Sequence, residues 1–212
     1  MRPIFALLFC LSAVPALAQS RILVFSEIMW MGSEVSNADE WIELFNPSDE
    51  PVDLSGWRIT RLVGDAEETM LELPALTVDA NGAFLIANYA ADDARSALAV
   101  KPHWVDAALS LANSRLLLRL YDGAGQLVDL ADDGTGSPLA GDAERKRAMV
   151  RENLLGDGGA QDSWRTADRA SGWDPGTQAM GTPGLVGEPA SDPASTAVSP
   201  RSWGQAKNDG RP

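Results

Sequence analysis

The feature that most constrains the fold is a succession of short β-prone segments, separated by turn residues, with no long helical period between them. Residues 22–28 and 41–45 are rich in branched and aromatic side chains. Residues 83–87 form an almost unbroken apolar run, which is typical of a strand covered on both sides. The side chains of residues 57–62 alternate with period two, so one face of the predicted strand carries Trp57, Ile59 and Arg61.

A hairpin is predicted further along the chain. Residues 115–121 place three leucines on one face, and the turn at residues 122–125 leads into a second strand at residues 127–130. Shorter strand candidates are residues 70–73, 104–106, 148–151 and 163–166. Nine or ten strands at this spacing indicate an all-β sandwich or barrel. The one helical candidate, residues 92–98, has too few apolar positions to be more than a connecting turn.

The two ends of the chain differ from this pattern. Residues 1–18 have the layout of a signal peptide, with Arg2 as the only charge, an apolar run at residues 4–14 and small residues for cleavage after Ala18. The run is too short to serve as a membrane anchor, because a spanning helix needs about 20 apolar residues. We therefore expect export to the periplasm or the medium, with no transmembrane span in the mature chain. Residues 187–212 are poor in large apolar side chains, which predicts a disordered tail.

Composition excludes several classes of function. The chain has 17 basic and 30 acidic residues, a formal net charge of −13, so it repels phosphate backbones and we predict no nucleic-acid binding. Cleavage of the signal would remove Arg2 and the single cysteine, which changes the charge to −14 and leaves no disulfide. One cysteine and one histidine leave little material for zinc sites or Ser-His-Asp catalysis.

Several motifs follow one another in a characteristic order along residues 21–186. They are Ser26-Glu27-Ile28, Glu40-Trp41-Ile42-Glu43-Leu44-Phe45-Asn46-Pro47-Ser48, Val52-Asp53-Leu54-Ser55-Gly56-Trp57, residues 109–114 and 121–129, Glu144-Arg145, Trp164 and Thr182-Pro183-Gly184. The ordered set resembles the lamin tail domain, a module of nuclear lamins and of many exported bacterial proteins. The resemblance implies an immunoglobulin-like β-sandwich, in agreement with the strand count. Loops at residues 32–39, 64–69 and 134–142 carry no motif.

Conspicuous residues have structural interpretations that we favour. Trp41 and Trp57 are expected to be core aromatics rather than a stacking platform for a ligand. Asn46, Asp53 and Ser55 are expected to be turn residues whose side chains bond nearby backbone amides. Gly56 is expected to supply a backbone conformation that other residues rarely adopt.

Acidic residues are the main candidates for chemistry. Glu27, Glu40 and Glu43 lie in or beside strands and could hold a hard cation such as calcium, but alternation puts Glu40 and Glu43 on opposite faces. Pairing with Arg58, Arg61 or Arg145, or a solvated face, is the favoured interpretation. The run Asp129, Asp132, Asp133 and Gly134 lacks the ligand spacing of a calcium loop.

Two further features complete the inventory of candidates. His103, beside Pro102 and Trp104, is expected to be a surface or packing residue. The densest basic cluster could touch a few phosphates, but we expect it to neutralise neighbouring acids. It consists of Arg145, Lys146, Arg147 and Arg151.

No catalytic, cofactor-binding or metal-binding residue is therefore assigned, and no cofactor is expected. The sequence predicts an exported, non-enzymatic module that acts by adhesion, scaffolding or ligand presentation through its loops. The partner would be a protein or glycan of the cell envelope. An accessory domain of an extracellular hydrolase or nuclease, or a metal-dependent enzyme, remains the alternative.

Overall fold

The computed structural model describes residues 22–185 of the chain. The predicted signal peptide, residues 1–18, and the predicted tail, residues 187–212, lie outside the described residues. Both remain predictions from the sequence.

Within the described part of the chain, twelve strands and one short 3-10 helix, Gln161–Ser163, connect through turns and loops. Seven strands have four or more residues: β1 (Val24–Met29), β2 (Trp41–Phe45), β4 (Arg58–Val63), β5 (Ala66–Glu72), β7 (Ala83–Ala87), β9 (Leu118–Tyr121) and β10 (Leu127–Ala131). Five are shorter: β3 (Val52–Asp53), β6 (Thr77–Val78), β8 (Trp104–Val105), β11 (Met149–Arg151) and β12 (Trp164–Thr166).

These strands form two main sheets. The larger has six strands in the order β12-β11-β1-β2-β7-β8, and the smaller has four in the order β10-β9-β4-β5. All neighbours are antiparallel except β7 and β8, and β3 pairs with β6 as a separate two-stranded sheet. Apolar residues of both main sheets belong to one buried cluster. Two sheets packed around a shared core confirm the predicted β-sandwich.

An ion pair between the sheets identifies the inner face of the larger one. Arg151 of β11 contacts Asp129 of β10, so Arg151 and the residues that share its face point into the sandwich. The register continues this face through Met149, Ile28, Ile42 and Ile86. Glu27, Glu43 and Trp41 consequently lie on the outer face, which the chain around residues 167–185 covers.

Several local predictions need correction. The alternation predicted for residues 57–62 is interrupted between Ile59 and Thr60, where the pairing of β4 with β5 shifts register and both residues are buried. A bulge of this kind cannot be read from polarity alone, because polar Thr60 finds a hydrogen-bond partner in Glu67. The strand predicted at residues 70–73 begins earlier, at Ala66, because β4 offers a partner along its whole length.

Two short strands were missed, and the only segment considered for a helix is not one. The two-residue strands β3 and β6 are too short to produce a periodic signal. Residues 92–95 form turns and a bend, and Leu98 makes an isolated bridge with Trp173, so this segment is not a helix, as the shortage of apolar positions predicted. In residues 22–185 we find no helix with the length and apolar character needed to cross a membrane.

Candidate functional site

The predicted core tryptophans are buried. Trp57 is 5% exposed and Trp41 is completely inaccessible, which confirms the packing interpretation of both. Trp41 occupies the outer face of the six-stranded sheet, where its ring lies 6.0 Å from that of Trp173. The interface between this face and the covering chain is thus built on two tryptophans.

The predicted turn residues also act as expected. Asn46 donates from Nδ2 to the carbonyl oxygens of Glu50 at 2.8 Å and Asp79 at 3.0 Å, and its Oδ1 accepts from the Ser48 amide at 3.0 Å. Asp53 accepts from the amide and hydroxyl of Ser55 at 2.9 and 2.7 Å. These side chains fix the conformation of the loops, as predicted for turn residues.

Glu27 and Glu43 form a cross-strand pair on the outer face of the large sheet. They are directly opposite in the register of β1 and β2, and both are at most 2% exposed. Directly opposed side chains in an antiparallel pair have Cβ atoms about 5 Å apart. The chain therefore buries two carboxyl groups side by side, and we call them the carboxyl pair.

Each member of the carboxyl pair accepts hydrogen bonds from the last described residues of the chain. Glu27 accepts from the Thr182 amide at 3.0 and 3.1 Å and from the Thr182 hydroxyl at 2.7 Å. Glu43 accepts from the Gly184 amide at 2.7 Å and from the Ser26 hydroxyl at 2.8 Å. We call residues 182–185 the closing segment.

Burial governs the protonation of this pair. Loss of solvation raises the pKa of Glu27 to about 7, against the opposing influence of the Thr182 bonds and of the Arg165 charge. Loss of solvation, reinforced by the negative charge of Glu27, raises the pKa of Glu43 to about 8. Two carboxylates this close in a protected site favour retention of a proton near neutral pH.

Glu40 does not join the pair. Its Oε2 accepts from the Leu111 amide at 2.9 Å, and burial raises the pKa of its carboxyl to about 7. The prediction that Glu40 and Glu43 serve opposite faces is thereby confirmed. Of the arginine partners expected for these acids, Arg61 acts on Glu40 through its charge, which opposes the rise in the pKa of that carboxyl, while it donates to the Ser110 carbonyl oxygen. The other two were wrong, because Arg58 lies over the Tyr121 ring and Arg145 pairs with Asp142.

In the run of acids that resembles a calcium loop, Asp129 and Asp132 accept hydrogen bonds from backbone amides. Asp132 accepts from the amides of Asp133, Gly134 and Leu139, at 2.9, 3.2 and 2.6 Å. Asp129 instead bonds to Arg151 and to the Phe25 amide. Among residues 22–185, no group of three or more histidine, cysteine or acidic side chains is arranged to hold a metal ion.

A cleft of about 480 Å³ lies beside the carboxyl pair, at the β12 edge of the large sheet. Its floor is a row of side chains across β1, β11 and β12, because Glu27 is opposite Val150 and Val150 is opposite Arg165. Residues 168–171 also line it, together with Gly181, which is hydrogen-bonded to Arg169 and Ser171, and with Thr182 and Leu185. We call this the β12 cleft.

A glycine is required at residue 181, where the backbone packs directly against the outer face of the large sheet. A Cβ atom at this position would be 2.7 Å from Glu27 Oε1 and 3.2 Å from both Trp41 and Ala148. The backbone can therefore approach the carboxyl pair only without a side chain at residue 181.

Both carboxyl groups of the pair are engaged by the protein. Glu27 lines the cleft but is 2% exposed and accepts from Thr182 with both oxygens, and the oxygens of Glu43 accept from Ser26 and Gly184. Hydrolysis of a glycosidic bond uses two carboxyl groups that flank the scissile bond. The arrangement suits a proton-holding structural pair better than an acid and base that reach a common substrate.

The remaining candidates lie elsewhere. His103 stacks on Phe84, with ring centroids 5.4 Å apart, and its Nδ1 accepts from the Leu85 amide at 2.9 Å. Burial lowers the pKa of His103, as expected for a packing residue. The basic cluster is divided, since Arg145 is exposed beside Asp142 and the side chain of Arg151 is completely buried beside Asp129.

Sequence reasoning did not find the β12 cleft or the acceptor role of Glu27 and Glu43. The available signal was the motif Thr182-Pro183-Gly184. It lies after the last described strand, so neither strand alternation nor a turn between strands explains why it belongs to the ordered set of motifs. Its contact with Glu27 joins residues 155 positions apart, a separation that local patterns cannot reveal.

Similarity to known proteins agrees with this architecture. No curated protein matches the chain significantly. The family model described as Lamin Tail Domain matches residues 17–135, more than half of the chain. The match includes both members of the carboxyl pair and ends before β11, β12 and the closing segment. With its two-sheet sandwich, which is of the immunoglobulin-like type, the chain belongs to the lamin tail domain family.

Proposed function

We propose that this chain is an exported, non-enzymatic interaction module that binds a partner protein in the β12 cleft. The single observation that carries the proposal is the cleft itself, a concave site of about 480 Å³ whose floor is supplied by three strands of the rigid sandwich. Ligand-binding clefts commonly have volumes of about 300 to 1,000 Å³. Loops carried by a rigid scaffold are common binding surfaces.

The lining favours an extended protein segment as the occupant. Val150, Ala167 and Leu185 supply apolar surface, while Arg165 and Ser171 supply polar groups. A segment with a small apolar side chain between polar residues would match this pattern. Among residues 22–185, those that line the cleft include no aromatic ring on which a sugar could stack, which favours the protein partner over the glycan partner.

The non-enzymatic part of the proposal is supported by the use that the fold makes of its acids. Glu27, Glu43, Asp129 and Asp132 each accept hydrogen bonds from the protein itself. Carboxylates held in this way stabilise loops and strand contacts. They lack the freedom to bind a substrate atom without breaking those bonds.

Export is supported by the sequence of residues 1–18 alone. The test is to express the full chain in a bacterial host, separate the cell fractions and determine the N-terminus of the recovered protein. We expect recovery outside the cytoplasm with Gln19 as the first residue. Recovery in the cytoplasm with Met1 intact would contradict export and leave the binding proposal to its own test.

The binding test uses photocrosslinking from the cleft. A photoreactive residue replaces Ala170, which is exposed and lines the cleft, or Ala75, which is exposed in the loop between β5 and β6 and serves as the matched control. We expect a discrete protein adduct from position 170 that is absent from position 75. The same adduct should disappear when Ser171→Trp, at an exposed lining position, fills the cleft.

Two results would reject the proposal. Equal labelling from both positions would show that the cleft is not the binding surface. Stoichiometric metal that stays with the purified protein, together with turnover of a hydrolase substrate that requires it, would establish the enzymatic alternative.

A further inference from the structure

We propose that the carboxyl pair is a proton-dependent latch, which holds the closing segment on the outer face of the large sheet while the pair retains a proton and releases it when both groups ionise. The latch concerns the chain's own segment and goes beyond the proposed binding function. It would operate whatever the β12 cleft binds.

The carboxyl pair supplies the hydrogen bonds that hold the closing segment on the sheet, in addition to the packing of buried Pro183. Among the described residues, the hydrogen bonds that residues 182–185 make to the large sheet all end on Glu27 or Glu43. The chain just before it is fixed differently, because Met180 exchanges backbone bonds with Lys146 and Ala148. Gly181 is also fixed, by backbone bonds with Arg169 and Ser171, so release can begin at Thr182 without unfolding the sandwich.

The surroundings supply little compensation for two negative charges. On the strands that flank the pair, Val150 is opposite Glu27 and Leu85 is opposite Glu43. Arg165 of β12 is the cation that acts on Glu27, and it also pairs with Asp168 at 3.0 Å. Asp168 and Arg169 line the cleft wall beyond it. From the closing segment, the pair meets only the neutral donors of Thr182 and Gly184.

One proton can be accommodated without breaking the network. A proton on Glu43 Oε1 would be donated to Ser26 Oγ, and the Ser26 hydroxyl would in turn donate to the Glu43 carbonyl oxygen, which it approaches at 3.2 Å. Glu27 then remains the acceptor of the Thr182 amide and hydroxyl. Loss of this proton puts two charges on directly opposed side chains in a buried site, a costly arrangement.

The direction of the pH dependence follows from linkage. The pKa values of Glu27 and Glu43 are raised to about 7 and about 8 in the closed state, and an exposed glutamate titrates near 4.3. The closed state therefore binds protons more tightly than the open state. The free energy by which protonation favours the closed state is at its full value below about pH 4.3 and is lost as the pH rises through about 8.

The test is hydrogen exchange of individual amides in the full chain, followed by NMR and corrected for intrinsic exchange. The reporters are the amides of Thr182 and Gly184, and β9–β10 amides report on the sandwich. Between about pH 6 and about pH 9 we expect the protection factors of the two reporters to fall by about tenfold or more. Protection of β9 and β10 should stay within about threefold, which separates local release from general loosening.

A matched pair of variants tests the cause. Glu43→Gln removes one charge and keeps the shape, since its Oε1 can accept from Gly184 while its Nε2 donates to Ser26. In this variant only Glu27 of the pair still titrates, so the fall in Thr182 protection should be smaller and should be complete by about pH 7 rather than about pH 8. Glu40→Gln is the control, because Glu40 is equally a buried glutamate with a raised pKa but bonds to Leu111. The pH dependence of the closing segment should persist in that variant.

Three outcomes would overturn the latch. The first is unchanged protection of Thr182 and Gly184 between the two pH values in the unaltered chain, a measurement that decides even if Glu43→Gln fails to fold. The second is full pH dependence in Glu43→Gln. The third is loss of the pH dependence in Glu40→Gln, which would assign the effect to the sandwich as a whole.

Discussion

Trp57 shows how much a single side chain contributes to this sandwich. Its indole is 5% exposed within the shared core, and its backbone joins two turns by accepting from the Leu73 amide and donating to Leu54. Trp57→Ala should reduce the free energy of unfolding by about 3 to 5 kcal/mol, because transfer energy is lost and a cavity remains. Urea denaturation measures this change.

The control for this substitution is Leu155→Ala, since Leu155 is 68% exposed. Its effect should stay within about 0.5 kcal/mol. A loss below about 1 kcal/mol for Trp57→Ala would mean that the ring packs too loosely to support the core interpretation.

Residue type alone predicted part of the chemistry at this scale. Large rings in strands and Asx residues in turns have preferences that act locally, so the roles of Trp41, Trp57, Asn46 and Asp53 could be inferred. The partners of Glu27 and Glu43 could not, because backbone amides are the donors and any residue other than proline carries one. Charge complementarity predicted arginines as the partners of these two carboxyl groups. In the folded chain, Thr182 and Gly184 are the donors instead.

At the scale of elements, the ion pair between β10 and β11 joins the two sheets. Arg151 and Asp129 have completely buried side chains and approach to 3.3 Å, and the Arg151 guanidinium lies 4.8 Å above the Trp164 ring. Asp129→Asn should lower the free energy of unfolding by about 3 kcal/mol or more, because it removes the negative charge that faces a buried guanidinium. Chemical denaturation at neutral pH provides the measurement.

Asp142→Asn is the comparison, since it removes the acid of the exposed Arg145–Asp142 pair. That substitution should have a much smaller effect, because solvent screens surface pairs. Equal losses from the two variants would show that the pair between the sheets contributes no more than one on the surface.

Strand recognition followed the strength of the local signal. The hairpin of β9 and β10 was predicted because alternation and a glycine turn coincide there. The early part of β5 was missed because Glu67, Glu68 and Thr69 are exposed on an edge strand, where polarity resembles that of a loop. The β12 cleft could not be predicted, because it forms where β1 meets the consecutive strands β11 and β12 from the far end of the chain and where two later segments line the same space.

The loop after β10 makes a prediction about metal. Asp132 bonds to three amides and has a positive φ of 71°, so the turn is already stabilised by the protein. Dialysis against a chelator, or addition of millimolar calcium, should leave the melting temperature unchanged. A stabilisation by calcium that Asp133→Asn abolishes would contradict this interpretation of the acidic run.

At the scale of the whole molecule, charge is the dominant property. The formal net charge of −13 opposes approach to any polyanion, and signal cleavage would increase its magnitude. Binding to DNA would therefore need a local basic surface strong enough to overcome the global repulsion. The temptation to expect DNA binding comes from the resemblance, because exported bacterial members of this family can accompany nucleases.

The structure divides the basic cluster that could have formed such a surface. Arg145 pairs with Asp142, and Lys146 donates to the Met31 carbonyl oxygen and to Asn37 at 3.2 and 3.1 Å. Arg147 is partly buried, and Arg151 lies between the two sheets. These four side chains do not share one exposed face along which a phosphate backbone could run.

We therefore expect no measurable binding to duplex DNA at physiological ionic strength in a gel-shift assay. The physical reason is that phosphate contacts must release counterions to drive association, and here the available cations are already engaged by the protein or isolated from one another. The control is a variant with alanine at Arg145, Lys146 and Arg147, which should behave like the unaltered chain. Micromolar affinity that weakens steeply with salt and vanishes in this variant would contradict the prediction and favour an accessory role beside a nuclease.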